Sequence, residues 1–142
     1  MVGNPNHLPL SGMVVRALSQ ILAGHVCGMM LEDMEADVIK VEKPDGGDDN
    51  RRAGTPFIGG QGEGFMAANR NKRSLALNLR DESGRQVFER LLERADVLVE
   101  NFRPGVMERL GIGYERLSKL KPSLIYCSIS GHGGSGPYKD RG

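Results

Sequence analysis

Apolar residues along this chain fall into short runs and longer periodic stretches that alternate with one another. Val97, Leu98 and Val99 form a continuous run of β-formers, the pattern of a strand buried on both faces of a parallel sheet. Asn101, Phe102 and Arg103 follow at once, then Pro104 and Gly105. Proline suits the first turn of a helix, where its missing N–H has no partner to lose, so Val106, Met107 and Leu110 predict a brief helix closed by Gly111. Upstream, Met13, Val14 and Val15 predict a first strand, with Ser19 as a candidate cap for the helix after it. Leu18, Ile21, Leu22, Val26, Met29, Met30 and Met34 recur at three- and four-residue spacings, which predicts a helix buried over much of its circumference. Gly24 and Gly28 share one side of that helix and mark a close approach by the sheet or by a ligand.

Residues 36–42, ADVIKVE, predict a second strand. The glycine-rich stretch 43–64 is long for a loop inside a compact domain, and such loops are usually functional or mobile. Residues 64–68 predict a short helix, and the alternation of Leu75, Leu77 and Leu79 a half-buried strand. Asp81 is placed to cap a helix whose Gly84, Val87, Phe88, Leu91, Leu92 and Ala95 share one face. A helix over 114–120, a strand over 124–128 and a glycine-rich tail complete the pattern. Strands alternating with helices imply an α/β fold, a mainly parallel layered sheet in one domain over residues 1–142. The polar trio Asn101–Phe102–Arg103 then sits at the carboxyl end of a buried strand. It is a ligand edge of the kind open α/β sheets use, or an ordinary exposed loop.

The 19 Lys and Arg against 18 Asp and Glu leave a net charge of +1, so bulk charge predicts no nucleic-acid and no membrane partner. Any anion site has to be local. Asn69–Arg70–Asn71–Lys72–Arg73 is either a solvated basic turn or part of such a site, with Arg51, Arg52, Arg103 and Arg109 as further candidates. Cys27 and Cys127 have neither CxxC nor Cys/His ligand spacing and are expected as buried thiols. No apolar run reaches spanning length and MVGNPNHLPL has no signal-peptide pattern, so the expectation is a cytoplasmic protein. Gly131–His132–Gly133–Gly134–Ser135–Gly136 matches GxGxxG but is followed by Pro137 and Tyr138 instead of an apolar helix, so it is taken as a turn. His7, His25 and His132 lack metal-ligand or nucleophile-activating spacing; each is expected to be structural, with no metal.

The segments LSQILAGHVCGMML, ADVIKVEKPDGGDDNRR, ANRNKRSLALNL, ADVLVENFRPGVMERLGIGYERL and SLIYCSISGHGGSGPY, in that order, resemble successive blocks of the class III CoA-transferases, a family that includes 2-methylacyl-CoA racemases and carnitine-related CoA-transferases. The resemblance covers residues 8–141 and implies a Rossmann-like fold with helices on both faces, coenzyme A as carrier, and an acyl-CoA and a carboxylic acid as partners. It implies CoA contacts from Ile21, Leu22 and Ala23 on the first helix, Lys43 after the second strand, and Leu77, Asn78, Leu79 and Arg80 beside the adenosine. Asn101, Phe102 and Arg103 would lie beneath the CoA, and Arg109 would meet a phosphate. The chain departs from the family pattern at Arg16, Ala17, His25, Val26, Glu35 and Ala53; an acid is usual at the position of Ala17, proline at His25 and glycine at Glu35. The family's nucleophilic Asp and the racemases' His–Asp pair would lie downstream of Gly142, so no catalytic residue is expected here; Asp48, Asp49 and Asp140 do not occupy the nucleophile's motif. The resemblance also implies interlocked homodimers among full-length relatives. The function implied is the CoA-binding amino-terminal portion of a CoA-transferase, with an acyl-CoA racemase fragment or a non-catalytic CoA-binding relic as alternatives.

Overall fold

A computed structural model describes residues 8–139 and 141, so His7, Asp140 and most of the lead-in lie outside it. Five strands form one parallel sheet: β1 (Val14–Leu18), β2 (Asp37–Glu42), β5 (Arg73–Ala76), β6 (Val97–Glu100) and β7 (Ile125–Ser128). Their spatial order is β5-β2-β1-β6-β7, with every neighbouring pair parallel. The chain therefore builds outward from β1 on one side, then returns to build outward on the other. This is the doubly wound, Rossmann-like arrangement, and it opens a crevice where the carboxyl ends of β1 and β6 part.

Helix α1 (Ala23–Asp33) covers one face, where Val15, Ala17, Val38, Val97 and Val99 pack with Cys27 and Leu31. The other face carries Leu18, Val41 and Leu98 beneath α3 (Glu82–Leu92), α4 (Val106–Arg109) and α5 (Tyr114–Leu120), whose Phe88, Leu92, Met107 and Leu117 complete the larger core. β6 is buried at all its positions, as its unbroken apolar run predicts.

Several local expectations change. β1 runs to Leu18, so Leu18 is a core strand residue and not part of the helix face. Ser19 caps nothing; it is buried at the strand's end, and α1 begins at Ala23 without a side-chain cap. The expected broad burial of this helix also changes: Ile21 and Leu22 precede α1 and are 64% and 60% exposed, and Met30 on it is 56% exposed. β5 ends at Ala76, so Leu77 and Leu79 belong to the loop after it, although both pack against the larger core. Pro104 precedes α4, whose amino end is Gly105 at φ 78°, a left-handed turn that glycine makes without a Cβ clash. Asp81 stands at the start of α3 but makes no side-chain cap bond, since its carboxylate accepts from Asn78 Nδ2 at 2.8 Å. The 43–64 stretch is structured: a 3-10 turn (Asp49–Arg52), a small hairpin of β3 (Phe57–Ile58) and β4 (Gln61–Gly62), and the start of α2 (Glu63–Ala68). Glu35, at φ 79°, takes the left-handed position that closes α1, with its N–H on Glu32 O and that of Ala36 on Leu31 O.

Arg16 is the least comfortable residue of the sheet. It is 5% exposed in the middle of β1; Nη1 donates to Val15 O at 3.1 Å and Nε finds no partner. Burial pulls its pKa down, against Asp37 and Asp96, which favour the charged form. A guanidinium so poorly satisfied loses more in desolvation than its attractions restore. Arg16→Leu is expected to raise the free energy of urea unfolding by about 1–3 kcal/mol; a decrease would mean that the guanidinium holds the amino edge together.

Candidate functional site

The crevice between β1 and β6 is closed at its base by one side chain. Asn101, the first residue after β6, accepts the Gln20 N–H at 2.7 Å through Oδ1 and donates through Nδ2 to Gln20 O at 2.8 Å. Gly24 lets these segments meet: a Cβ there would stand 2.6 Å from Ser19 Cβ and 3.0 Å from Asn101 Cγ. Gly28, one turn on, faces Lys72 and Val38 in the same way, so the glycine side of α1 serves packing. The turn fixed in this manner carries Ile21 at φ 61°, a conformation that costs a β-branched residue about 1–3 kcal/mol. Asn50 Nδ2 donates to Ile21 O at 2.7 Å and completes the clamp. The side chain held in this strained position is largely exposed, and Leu22 and Ala23 beside it are exposed too. The first turn of α1 contains no acid to answer its free N–H groups.

Across the crevice, Phe102 is half-buried against the core and Arg103 is exposed. Ala23, Asn101, Phe102 and Arg103 line a hollow of about 280 Å³ together with Ile129, Ser130, Gly131 and Arg141. A second hollow of about 420 Å³ lies beyond Phe102 and Arg103, but its walls include Glu100 and Glu108 beside Tyr114 and Tyr126. Carboxylates at that wall disfavour phosphate, so the smaller, basic hollow is the better anion site although the other is larger.

The remaining candidates lie along the same carboxyl edge. Lys43 follows β2, exposed, with Nζ 2.6 Å from Asp49 Oδ1. Residues 77–80 follow β5, pressed against α3 at Gly84, where a Cβ would meet Asn78 O at 2.0 Å. Of these, Leu77 and Leu79 turn inward, while Asn78 and Arg80 are exposed. Arg109 is exposed at the end of α4, its Nη1 lying over Gly105. From β5 to β6 the edge spans three strand spacings, about 14 Å.

The basic turn does not join this group. Arg73 opens β5 at the opposite, amino edge and pairs with Asp37 at 2.5 Å; Arg70 pairs with Asp33; Lys72 donates to His25 O, Ala68 O and Asn69 Oδ1. Its cations hold the α1–α2–β5 junction together. Arg51 is committed as well, to Glu42 at 2.6 Å and to the Phe65 ring at 4.0 Å.

Beneath the edge lies a charged cluster that the sequence reasoning missed. Lys40, 1% exposed in β2, donates to Ser19 O at 2.5 Å and lies 2.9 Å from Asp48 Oδ2. His25 Nε2 is 2.8 Å from the same oxygen. Glu42 accepts from Arg51, from Ser74 Oγ at 2.7 Å and from the Asp48 N–H at 2.7 Å. The available signal was Lys40 itself, a cation between Ile39 and Val41 in a strand that had to be buried, which demands a counter-charge. Among the described residues no group of three or more His, Cys, Asp or Glu could hold a metal ion, and no helix is long and apolar enough to cross a membrane.

A doubly wound α/β sheet with a clamped apolar turn and arginines at its switch point has the crevice at which open α/β sheets take ligands. The sequence profile of CoA-transferase family III matches residues 10–142, and the chain belongs to that family. It is 45% identical to the succinyl-CoA–L-malate CoA-transferase beta subunit of Chloroflexus aurantiacus, covering 99% of this chain and 35% of that protein. It is 43% identical to the succinyl-CoA:glutarate CoA-transferase of Homo sapiens, covering 96% and 31%. A crystal structure of a CAIB/BAIF family protein from Brucella suis superposes with a TM-score of 0.90 at 47% identity, over 95% of this chain and 36% of that one. The chain thus spans about a third of the length of these relatives.

Burial pushes the Glu42 carboxyl up, but bonds from Arg51, Ser74 and the Asp48 N–H outweigh it and hold the group at about 2. Burial acts the same way on Asp48, and His25, Lys40 and the Asn50 N–H hold it far below the usual carboxylate range. Both carboxyls bind protons more weakly folded than unfolded. Their contribution is therefore complete above the unfolded value of about 4 and is lost as pH falls through the folded values. Urea midpoints are expected to fall steeply from about pH 5 towards pH 2; a flat profile over that range would count against the cluster.

Proposed function

We propose that this chain holds the CoA carrier for a CoA-transferase that moves CoA between carboxylic acids through acyl-enzyme intermediates. The observation that carries the reading is the Ile21 turn: a strained, exposed apolar residue in a turn clamped by Asn101 and Asn50, next to the hollow that Ala23 and Arg103 line. Strain at an exposed site persists where the surrounding structure imposes it, as ligand clamps do. In this reading Ile21, Leu22, Ala23 and Phe102 wall the pantetheine, with Asn101 as the clip that shapes the wall. Lys43, Arg103 and Arg109 answer the phosphates, since Arg offers a two-pronged donor and Lys a point charge. Backbone at Leu77 and Leu79, with Asn78 and Arg80, borders the adenosine. An elongated ligand running along the carboxyl edge meets all of them.

The chemistry follows from the thioester. A carboxylate attacks the thioester carbonyl, the C–S bond breaks, and the CoA thiolate stays bound while the acyl group rests on the enzyme as an anhydride. The thiolate then attacks the enzyme's own carbonyl carbon and releases the first acid; reversal with a second acid completes the exchange. The attacking carboxylate belongs, in this proposal, to the part of the relatives' length that the chain does not match, as does pairing with a second copy. A short dicarboxylate acceptor is carried over from the relatives' names, and a cytoplasmic setting from the two free thiols. No observation favours the racemase alternative: His25 is fully buried and His132 stacks near Tyr138 in the tail.

Calorimetry with CoA is expected to show one site on this chain, and Arg109→Ala and Lys43→Ala are each expected to weaken it by about 1–3 kcal/mol. Absence of both heat and thermal shift would overturn the reading. Intact-mass spectrometry after incubation with succinyl-CoA is expected to show no covalent adduct; an acyl adduct would place the nucleophile within these residues.

A further inference from the structure

His25 touches no candidate ligand surface, yet it joins the buried cluster to the junction below it. The orientation of the Asn69 amide is settled on both sides: Nδ2 donates to Phe65 O at 3.0 Å, and Oδ1 accepts from Lys72 Nζ at 3.1 Å. Nδ2 therefore also presents a proton to His25 Nδ1, 3.3 Å away, and Nδ1 has to accept. The ring proton then sits on Nε2 and is donated to Asp48 Oδ2 at 2.8 Å. Lys40 Nζ stands 2.9 Å from Nε2 as well, a contact between two donors that the shared Asp48 oxygen draws together. That oxygen also accepts from Lys40 Nζ at 2.9 Å, while Asp48 Oδ1 accepts the Asn50 N–H at 2.9 Å and so starts the 3-10 turn. Lys40 donates another proton to Ser19 O. The bonds run in one consistent direction from Lys72 through Asn69 and His25 to Asp48, where the Lys40 contribution meets them.

Both outputs of this relay land on the same place. Lys40 fixes Ser19, immediately before the Gln20–Ile21 turn, and Asp48 fixes Asn50, whose side chain holds Ile21 O. We propose that His25, as the Nε2–H tautomer, is a positioning residue that sets the Ile21 turn for CoA through Asp48. The inference rests on the CoA reading above and deepens it. A buried polar relay specifies one arrangement of its members; removing one leaves its neighbours unpaired and free to choose another.

The test compares His25→Gln with His25→Leu. Gln supplies an amide N–H near the place of the ring Nε2–H, whereas Leu fills the volume and supplies none. Calorimetry is expected to give wild-type-like CoA affinity for His25→Gln and a loss of about tenfold or more for His25→Leu. Equal affinity in both variants overturns the proposal. Should His25→Leu fail to fold, Asn50→Ala replaces it, since it cuts the last link of the relay at a partly exposed residue. Its expected loss is similar, and an unchanged affinity counts against the proposal. Nitrogen-15 spectra of the ligand-free chain judge the relay whatever CoA does. A protonated Nε2 and a bare Nδ1 are expected, and a proton on Nδ1 overturns the assignment. No heat from the wild-type chain, with the Nε2–H tautomer present, overturns the CoA reading and this positioning role while leaving the relay itself intact.

Discussion

Burying the Lys40 ammonium in the sheet obliges the chain around it to supply oxygen. An uncompensated charge there would cost several kcal/mol, so the glycine-rich segment after β2 has to fold back and deliver Asp48. That return shapes most of what lies along the carboxyl edge. It seats the 3-10 turn over Asp49–Arg52, from which Asn50 reaches Ile21 and Arg51 reaches Glu42. It also ties β1, β2, α1 and the segment before β5 into one polar unit beneath the crevice. A hydrophobic replacement of the pair could match its stability, yet it would lose the direction in which the loop is pulled.

The crevice itself follows from topology. Parallel order reverses at β1, so the loops after β1 and β6 diverge and something has to span the gap. Asn101 spans it with two reciprocal bonds, and Gly24 makes room. The result is an apolar, strained turn leading into Ala23, which lines a basic hollow with Asn101 and Arg103. Membership of CoA-transferase family III and the proposed carrier role meet at this place.

Much of this was legible beforehand. The β6 run, the amphipathic α3 and the ordering of strands and helices were visible because burial on a sheet or a helix face imposes a period on the residues. The candidate contact residues came through resemblance, and Lys43, residues 77–80 and Asn101–Arg103 follow the carboxyl ends of β2, β5 and β6. What misled was local grammar. Ser19 looked like a cap and Leu18 like a helix residue, because each has the right residue type, and the residue types of the 69–73 turn left a solvated turn and an anion site both open. Ser19 and Leu18 are instead held by β1 and its end, and the cations of the turn by acids on α1 and β2 that are distant in sequence.

The chain by itself determined the class of fold, the buried strands and the set of residue types at the carboxyl edge, since these depend on hydrophobic period and short motifs. Only the tertiary structure decided which of those residues remain available to a ligand. Arg103 and Arg109 stay exposed and Arg51 is paired with Glu42, while Arg70 and Arg73 lie away from that edge, on Asp33 and Asp37. It also decided that His25 is a connector, because donor and acceptor roles in a buried relay depend on partners separated by up to 44 residues. Charge pairing acts through space, and sequence patterns record it only where the partners happen to be neighbours.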